Sequence, residues 1–144
     1  MTVHATRTTG IRGPSRVLLV LAAVVGATGC GPDLDTPEGT VQAFVDAMAA
    51  RDWDGACSLL SHDLVHRSTE GRSQYCDVLL ERRHPDTSSY EDLAVRGEAA
   101  ATADGHRVEV APEVAPGRTE EVLVVEESGR LVLLDYPGSD TAAR

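Results

Sequence analysis

Residues 104–110 read Asp104-Gly105-His106-Arg107-Val108-Glu109-Val110, a tight-turn pair followed by strict polar–apolar alternation. Asp-Gly supplies the positive backbone angles of a two-residue hairpin. A period of two then puts Val108 and Val110 on one face, while Arg107 and Glu109 meet water. Upstream, Leu93 and Val95 alternate in the same way, so the turn joins two strands. Downstream the alternation runs through Glu113 to Val114, and Pro112, which cannot donate to a ladder, predicts an edge position or a bulge. Residues 121–126 are apolar on both faces and read as a central strand; Ser128-Gly129 makes the next turn and Leu131–Leu134 the last strand. From Asp135 onward the chain reads as fraying.

Before His84-Pro85-Asp86 the period is helical. Thr36-Pro37-Glu38 is a start signal, with a capping hydroxyl, a proline suited to the first position and an acid that complements the dipole. Val41, Phe44, Val45 and Met48 recur at i, i+3, i+4 and i+7 as one apolar stripe, ending near Arg51. Asp52 then caps a shorter helix through Trp53, Ala56, Cys57, Leu59 and Leu60 to about Ser61. Residues 63–67 are ambiguous. A third helix is expected from about Ser73 to Arg83, burying Cys76, Leu79 and Leu80 and stopped by Pro85. Helices first and an antiparallel meander after is an α+β pattern, with the helical stripe covering the dry face of a curled sheet.

The first thirty residues stand apart. Arg7, Arg12 and Arg16 precede an apolar run from Val17 to Val25, too short to span a bilayer, and then small residues. This is the layout of a secretory signal. Ala27-Thr28-Gly29-Cys30 resembles the lipobox of bacterial lipoproteins, which implies cleavage after residue 29 and a lipid on Cys30. The expected organisation is a signal peptide over 1–29, lipidated Cys30 and a linker over 30–35, a domain over 36–136 and a flexible tail over 137–144. The polar linker reaches at most ~20 Å, so the domain is expected close to the outer face of the cell membrane. Cys57 and Cys76 remain, and an even pair in an oxidising compartment reads first as a disulfide. Two buried free thiols are the alternative.

The Thr36–Met48 helix, the motif Asp52-Trp53-Asp54-Gly55-Ala56-Cys57-Ser58-Leu59-Leu60 and the late strands resemble the NTF2-like superfamily, and within it the small exported lipoproteins of actinobacteria. The resemblance spans nearly all of 36–136. It implies a cone of helices packed on a curved antiparallel sheet, often around a cavity, and in some relatives a pocket Asp or Tyr that moves a proton. It also implies a sheet face able to pair two copies. Tyr75, Tyr90, Glu109, Asp135 and Tyr136 are the residues that could face such a cavity, but none stands in a catalytic pattern.

Other constellations are weaker. His62-Asp63-Leu64-Val65-His66 is a near miss to the H-E-x-x-H zinc motif, with an acid one methylene too short and no evident third ligand. Cys57, His62, His66 and Cys76 can be written as a Cys/His zinc set, against which the oxidising compartment argues. Trp53 reads as a core anchor rather than a stacking platform. Arg82-Arg83-His84 reads as dipole complement at a helix end.

The chain has 144 residues, one domain's worth, with 13 basic and 23 acidic side chains for a net charge of −10. It has no lysine, and three arginines lie in the leader, so the rest is more acidic still. That balance opposes nucleic-acid binding, which concentrates cations against phosphate. The expected function is a non-catalytic module, without cofactor or metal, that binds a small apolar ligand or a protein segment. An isomerase- or dehydratase-like enzyme with a buried acid is the competing class, and a structural accessory of a membrane complex the third.

Overall fold

Thr36 adopts extended backbone and its hydroxyl accepts the Gly39 N–H at 3.1 Å, so helix α1, Pro37–Ala49, begins where the Thr-Pro-Glu run predicts. The computed structural model describes residues 31–114 and 118–139; the expected leader, Cys30 and residues 140–144 lie outside the described residues. Val41, Phe44, Val45 and Met48 are each no more than 1% exposed, so the whole apolar stripe of α1 is core. Arg51, at φ +58°, turns the chain through left-handed backbone into α2, Trp53–Ser58, which the Asp52 carboxylate caps by accepting the Gly55 N–H at 3.0 Å. Trp53 is half-buried against the core.

The helix α2 stops short of Ser61 because the sheet claims the residues after it. Leu133 N–H donates to the Leu59 carbonyl and Ser61 N–H to the Leu133 carbonyl, both at 2.8 Å, which pulls Leu60 into a parallel bridge with Leu133. The ambiguous piece that follows is a helix, α3, His62–Ser68. Two acceptors start it: Ser61 Oγ takes the Leu64 N–H at 3.1 Å, and Glu127 Oε2 takes the His62 N–H at 3.0 Å. Glu127 lies far along the chain, which is why the segment is ambiguous by itself. A 3₁₀ turn, Ser73–Tyr75, leads into α4, Cys76–Arg83, and Pro85 follows its end. A short helix α5, Ser88–Glu91, which no periodicity in the sequence marks, buries Tyr90.

The strands β1 (Leu93–Thr102), β2 (Gly105–Pro112), β3 (Glu120–Glu127) and β4 (Arg130–Leu133) form one antiparallel sheet in the order β1-β2-β3-β4. The protein is therefore α+β, with α1 laid over a four-stranded meander. Val108, Val110, Val122 and Val124, each at most 1% exposed, complete the core with the α1 stripe. Two strand expectations need correction. β2 is interior rather than an edge, pairing with both β1 and β3, and Pro112 is tolerated as its last residue, two beyond Val110, where the pairing with β3 ends. Val114 is 85% exposed, since the strand has already ended.

The edge strand β1 carries an irregularity between Arg96 and Ala100, with Gly97 at φ +68°, an angle that suits glycine. The helix α1 covers this edge. Glu38 Oε1 accepts the Ala99 N–H at 2.5 Å and Gln42 Oε1, one turn on, accepts the Val95 N–H at 3.3 Å. Free edge N–H groups invite another chain, so these side chains satisfy two of them internally. The same bond holds the Glu38 carboxyl below the ordinary carboxylate range, with a small contribution from His106.

Cys57 and Cys76 are joined, Sγ to Sγ at 2.05 Å with Cα atoms 6.1 Å apart, which fastens α2 to the start of α4. This geometry fits the disulfide reading and leaves no free thiols at these positions. Closing a 19-residue loop stabilises the fold by roughly 3 kcal/mol in the chain-entropy account. The C-terminal segment does not fray at Asp135. Tyr136 and Pro137 are buried, and Tyr90 Oη donates to the Pro137 carbonyl at 2.7 Å.

Candidate functional site

The linker 31–35 is folded rather than extended. Asp33 Oδ1 accepts the Asp35 N–H at 3.0 Å, the Asp33 carbonyl accepts from Thr36 N–H and Oγ1 at 3.1 and 2.9 Å, and Thr40 Oγ1 donates to the Leu34 carbonyl at 3.2 Å. Gly39 permits this approach: a Cβ there would collide with the Asp33 backbone. Leu34 and Asp35 thereby become one wall of an open groove of about 610 Å³. Pro37 of α1, Leu59 after α2 and Leu131 of β4 supply further apolar wall, and His106, Glu126 and Arg130 the polar rim. Arg130 Nη2 donates to the Ser58 carbonyl at 3.3 Å, tying the α2 end to β4 across the floor. Leu34 is 52% exposed, an apolar side chain held at the mouth. An apolar floor with a few polar groups at the rim is the ordinary make-up of a small-molecule site.

The residues proposed to face an interior cavity separate into two groups. Tyr75 and Glu109 are exposed. Tyr90 and Tyr136 are buried and pack with Phe44, the only phenylalanine, at centroid distances of 6.4 and 5.4 Å. His84 closes this aromatic cluster, edge-on to Tyr90 at 5.7 Å and to Tyr136 at 5.8 Å. Burial, and then the neighbouring Arg83 charge, lowers the His84 pKa, and its Nε2 is buried without a hydrogen-bond partner among the described residues. Burial likewise raises the Tyr90 phenol pKa, helped by Tyr136 and Glu120. Asp135 is half-buried, and burial raises its pKa against the pull of the Leu123 N–H, which its Oδ1 accepts at 2.6 Å. These acids and phenols thus carry structural bonds: Tyr90 to Pro137, Asp135 to β3.

His62 and His66 do share one face of α3, stacked with centroids 6.0 Å apart, and both are exposed. Among the described residues no group of three or more His, Cys, Asp or Glu could hold a metal ion. The zinc set is overturned more directly, because its two cysteines are bonded to each other. No described helix is long and apolar enough to cross a membrane.

A second groove, of about 510 Å³, lies between the end of α3 and the outer face of α4, and Arg72, Arg82 and Arg83 line it with Tyr75 and Val78. Neither groove carries a sequence motif. Leu34 and Asp35, His106 and Arg130 come from three separate segments, so only the folded linker and the β3–β4 turn reveal the first groove. The second had a partial signal in Arg82-Arg83 but none in Arg72.

Comparison with protein-family models, with curated proteins and with solved structures returns no match.

Proposed function

We propose that this chain is a lipid-anchored extracytoplasmic protein of NTF2-like architecture, and that its domain binds a small apolar or amphipathic ligand, or a partner's apolar segment, without catalysing a reaction. The observation that carries the reading is the open groove beside the linker. Its wall of Leu34, Pro37, Leu59 and Leu131 offers apolar area, and His106, Glu126 and Arg130 can orient a polar end. The groove is built on the segment that leads back to Cys30, so a ligand there sits near the anchoring point. The NTF2-like reading draws on helices preceding a meander with α1 across it. A binding role draws on the interior acids and phenols being engaged in structural bonds.

Two measurements test the two parts. Replacing Cys30 by Ala moves the protein from the membrane fraction to the medium or leaves the precursor uncleaved; mature-sized protein still in the membrane contradicts lipidation. For the groove, the apolar fluorophore anilinonaphthalene sulfonate is expected to titrate to one saturable site in the oxidised, folded protein. Leu34→Asp, at a side chain already half in water, is expected to abolish that site with little change in Tm. Unchanged titration in this variant removes the groove from the reading.

A further inference from the structure

The geometry points to the groove between α3 and α4 as a docking face for anionic phospholipid headgroups, which would set the domain's orientation on the membrane; this rests on the anchored reading above. The groove takes its character from the periodicity of α4. At ~100° per residue, Val78, Leu79, Arg82 and Arg83 form an outward stripe, continued by Tyr75 of the preceding turn and by Arg72. Cys76 and Leu80 are buried in the core, and Arg83, three residues past Leu80, borders that face. Asp77 and Glu81 do not line the groove, which leaves Glu70 as the acid in its lining.

Three guanidinium groups thus converge on one groove in a chain whose net charge is −10. None of the three has a hydrogen-bonding or ion-pairing side chain among the described residues, whereas Arg67 and Arg107 are each paired with a carboxylate. Between them stand two apolar side chains left in water, Tyr75 at 50% and Val78 at 43% exposure. Guanidinium forks match phosphate oxygens bidentately. Tyrosine suits the level of the headgroups, where one end of the ring is apolar and the other wet. A basic rim around an exposed apolar centre is therefore complementary to a phosphate layer over hydrocarbon.

The net acidic charge of the chain is repelled by such a surface, so approach through the three-arginine face is favoured. Binding by the face alone is then weak, and a tether makes it effective by holding it at high local concentration. The disulfide contributes: Cys76 adjoins Tyr75 and Cys57 adjoins Ser58 of the linker groove, so the bridge fixes the two grooves relative to each other.

The test uses the mature chain carrying Cys30→Ala, oxidised and without its lipid, in co-sedimentation with vesicles. Binding is expected to phosphatidylcholine vesicles containing about a third phosphatidylglycerol, to fall with rising salt as screening requires, and to be absent with phosphatidylcholine alone. Arg82→Ala with Arg83→Ala should lower the apparent affinity at least tenfold, since each cation near an anionic surface is worth roughly a factor of five. Tyr75→Ser should lower it several-fold. The charge-matched pair Arg107→Ala and Arg118→Ala should leave it unchanged. Equal binding to both vesicle types, equal loss in the control pair, or retention by polyglutamate beads rather than by vesicles would overturn the proposal, the last by assigning the groove to an acidic peptide. Because lipidation is read separately from fractionation of the unmodified protein, failure here leaves that result untouched, and the reverse also holds.

Discussion

Gly39 and His84 show how single positions are committed by their neighbours rather than by their own propensities. A methyl group at Gly39 favours a helix by up to ~1 kcal/mol, but here it meets the Asp33 carbonyl. The helix gains what the linker loses, so Gly39→Ala should leave Tm nearly unchanged while displacing Leu34 and Asp35. The expected outcome is loss of fluorophore binding without loss of stability; binding intact in the variant would show that the linker wall is dispensable. His84 answers to pH. Its folded pKa lies below the ordinary 6.5, chiefly through burial, so between the two values the unfolded chain holds more protons. Stability is then complete above about pH 6.5 and falls as pH drops towards the folded value. Glu38 and Asp86, both lowered, lose their contribution only in the carboxylate range, and Asp135, raised, acts with the opposite sign. The Tm should therefore decline as the pH falls below about 6.5, and His84→Phe, which keeps an aromatic ring against Tyr90 and Tyr136, should flatten that decline. An undiminished slope in the variant would assign it to other groups.

At the level of elements, α3 is the instructive case. Its start depends on Ser61, whose hydroxyl takes the Leu64 N–H while fully enclosed, and on Glu127 of β3. Ser61→Ala should cost about 1 kcal/mol, in the usual range for a lost N-cap, and raise hydrogen exchange selectively in residues 62–68. Exchange rising evenly across the sheet instead would mean that the cap acts on the whole fold. The same dependence explains what was legible beforehand. The helix α1 carries its own stripe and its own cap, and β3 its own unbroken apolar run, so both are readable locally. The helix α3 borrows an acceptor from sixty-five residues away, and 59–61 is drawn out of α2 by Leu133. Pro112 looked like an edge marker because a proline says nothing about which end of a strand it occupies. Tyr136 looked like tail because its burial depends on Phe44 and His84, which only the tertiary fold brings near. The grooves were hidden for the same reason: their walls are assembled from separate segments and no spacing announces them.

For the molecule as a whole, the helical layer and the meander are sewn together by polar bonds at the rim and by apolar contact in the middle. Glu38 and Gln42 fasten α1 to β1, Glu127 and Arg130 fasten the β3–β4 turn to α3 and α2, and Tyr90 holds the last segment. The disulfide does something else, since Cys57 and Cys76 both belong to the helical layer. It joins no strand to any helix. Its effect on stability must then come through the unfolded chain, by removing loop conformations, and appear in the global transition only if the two layers unfold together. Alanine leaves no unmet hydroxyl at half-buried Cys57 or buried Cys76, so Cys57→Ala and Cys76→Ala should each lower stability by roughly 3 kcal/mol, on the order of 10 °C in Tm. The double variant should lose about as much as either single one, because the second substitution removes nothing that remains. Losses that add would show that each sulfur stabilises through its own packing rather than through the bond. A loss confined to exchange in α2, α3 and α4, with the sheet untouched, would show that the helical layer opens by itself, and the grooves at its margins would then open with it.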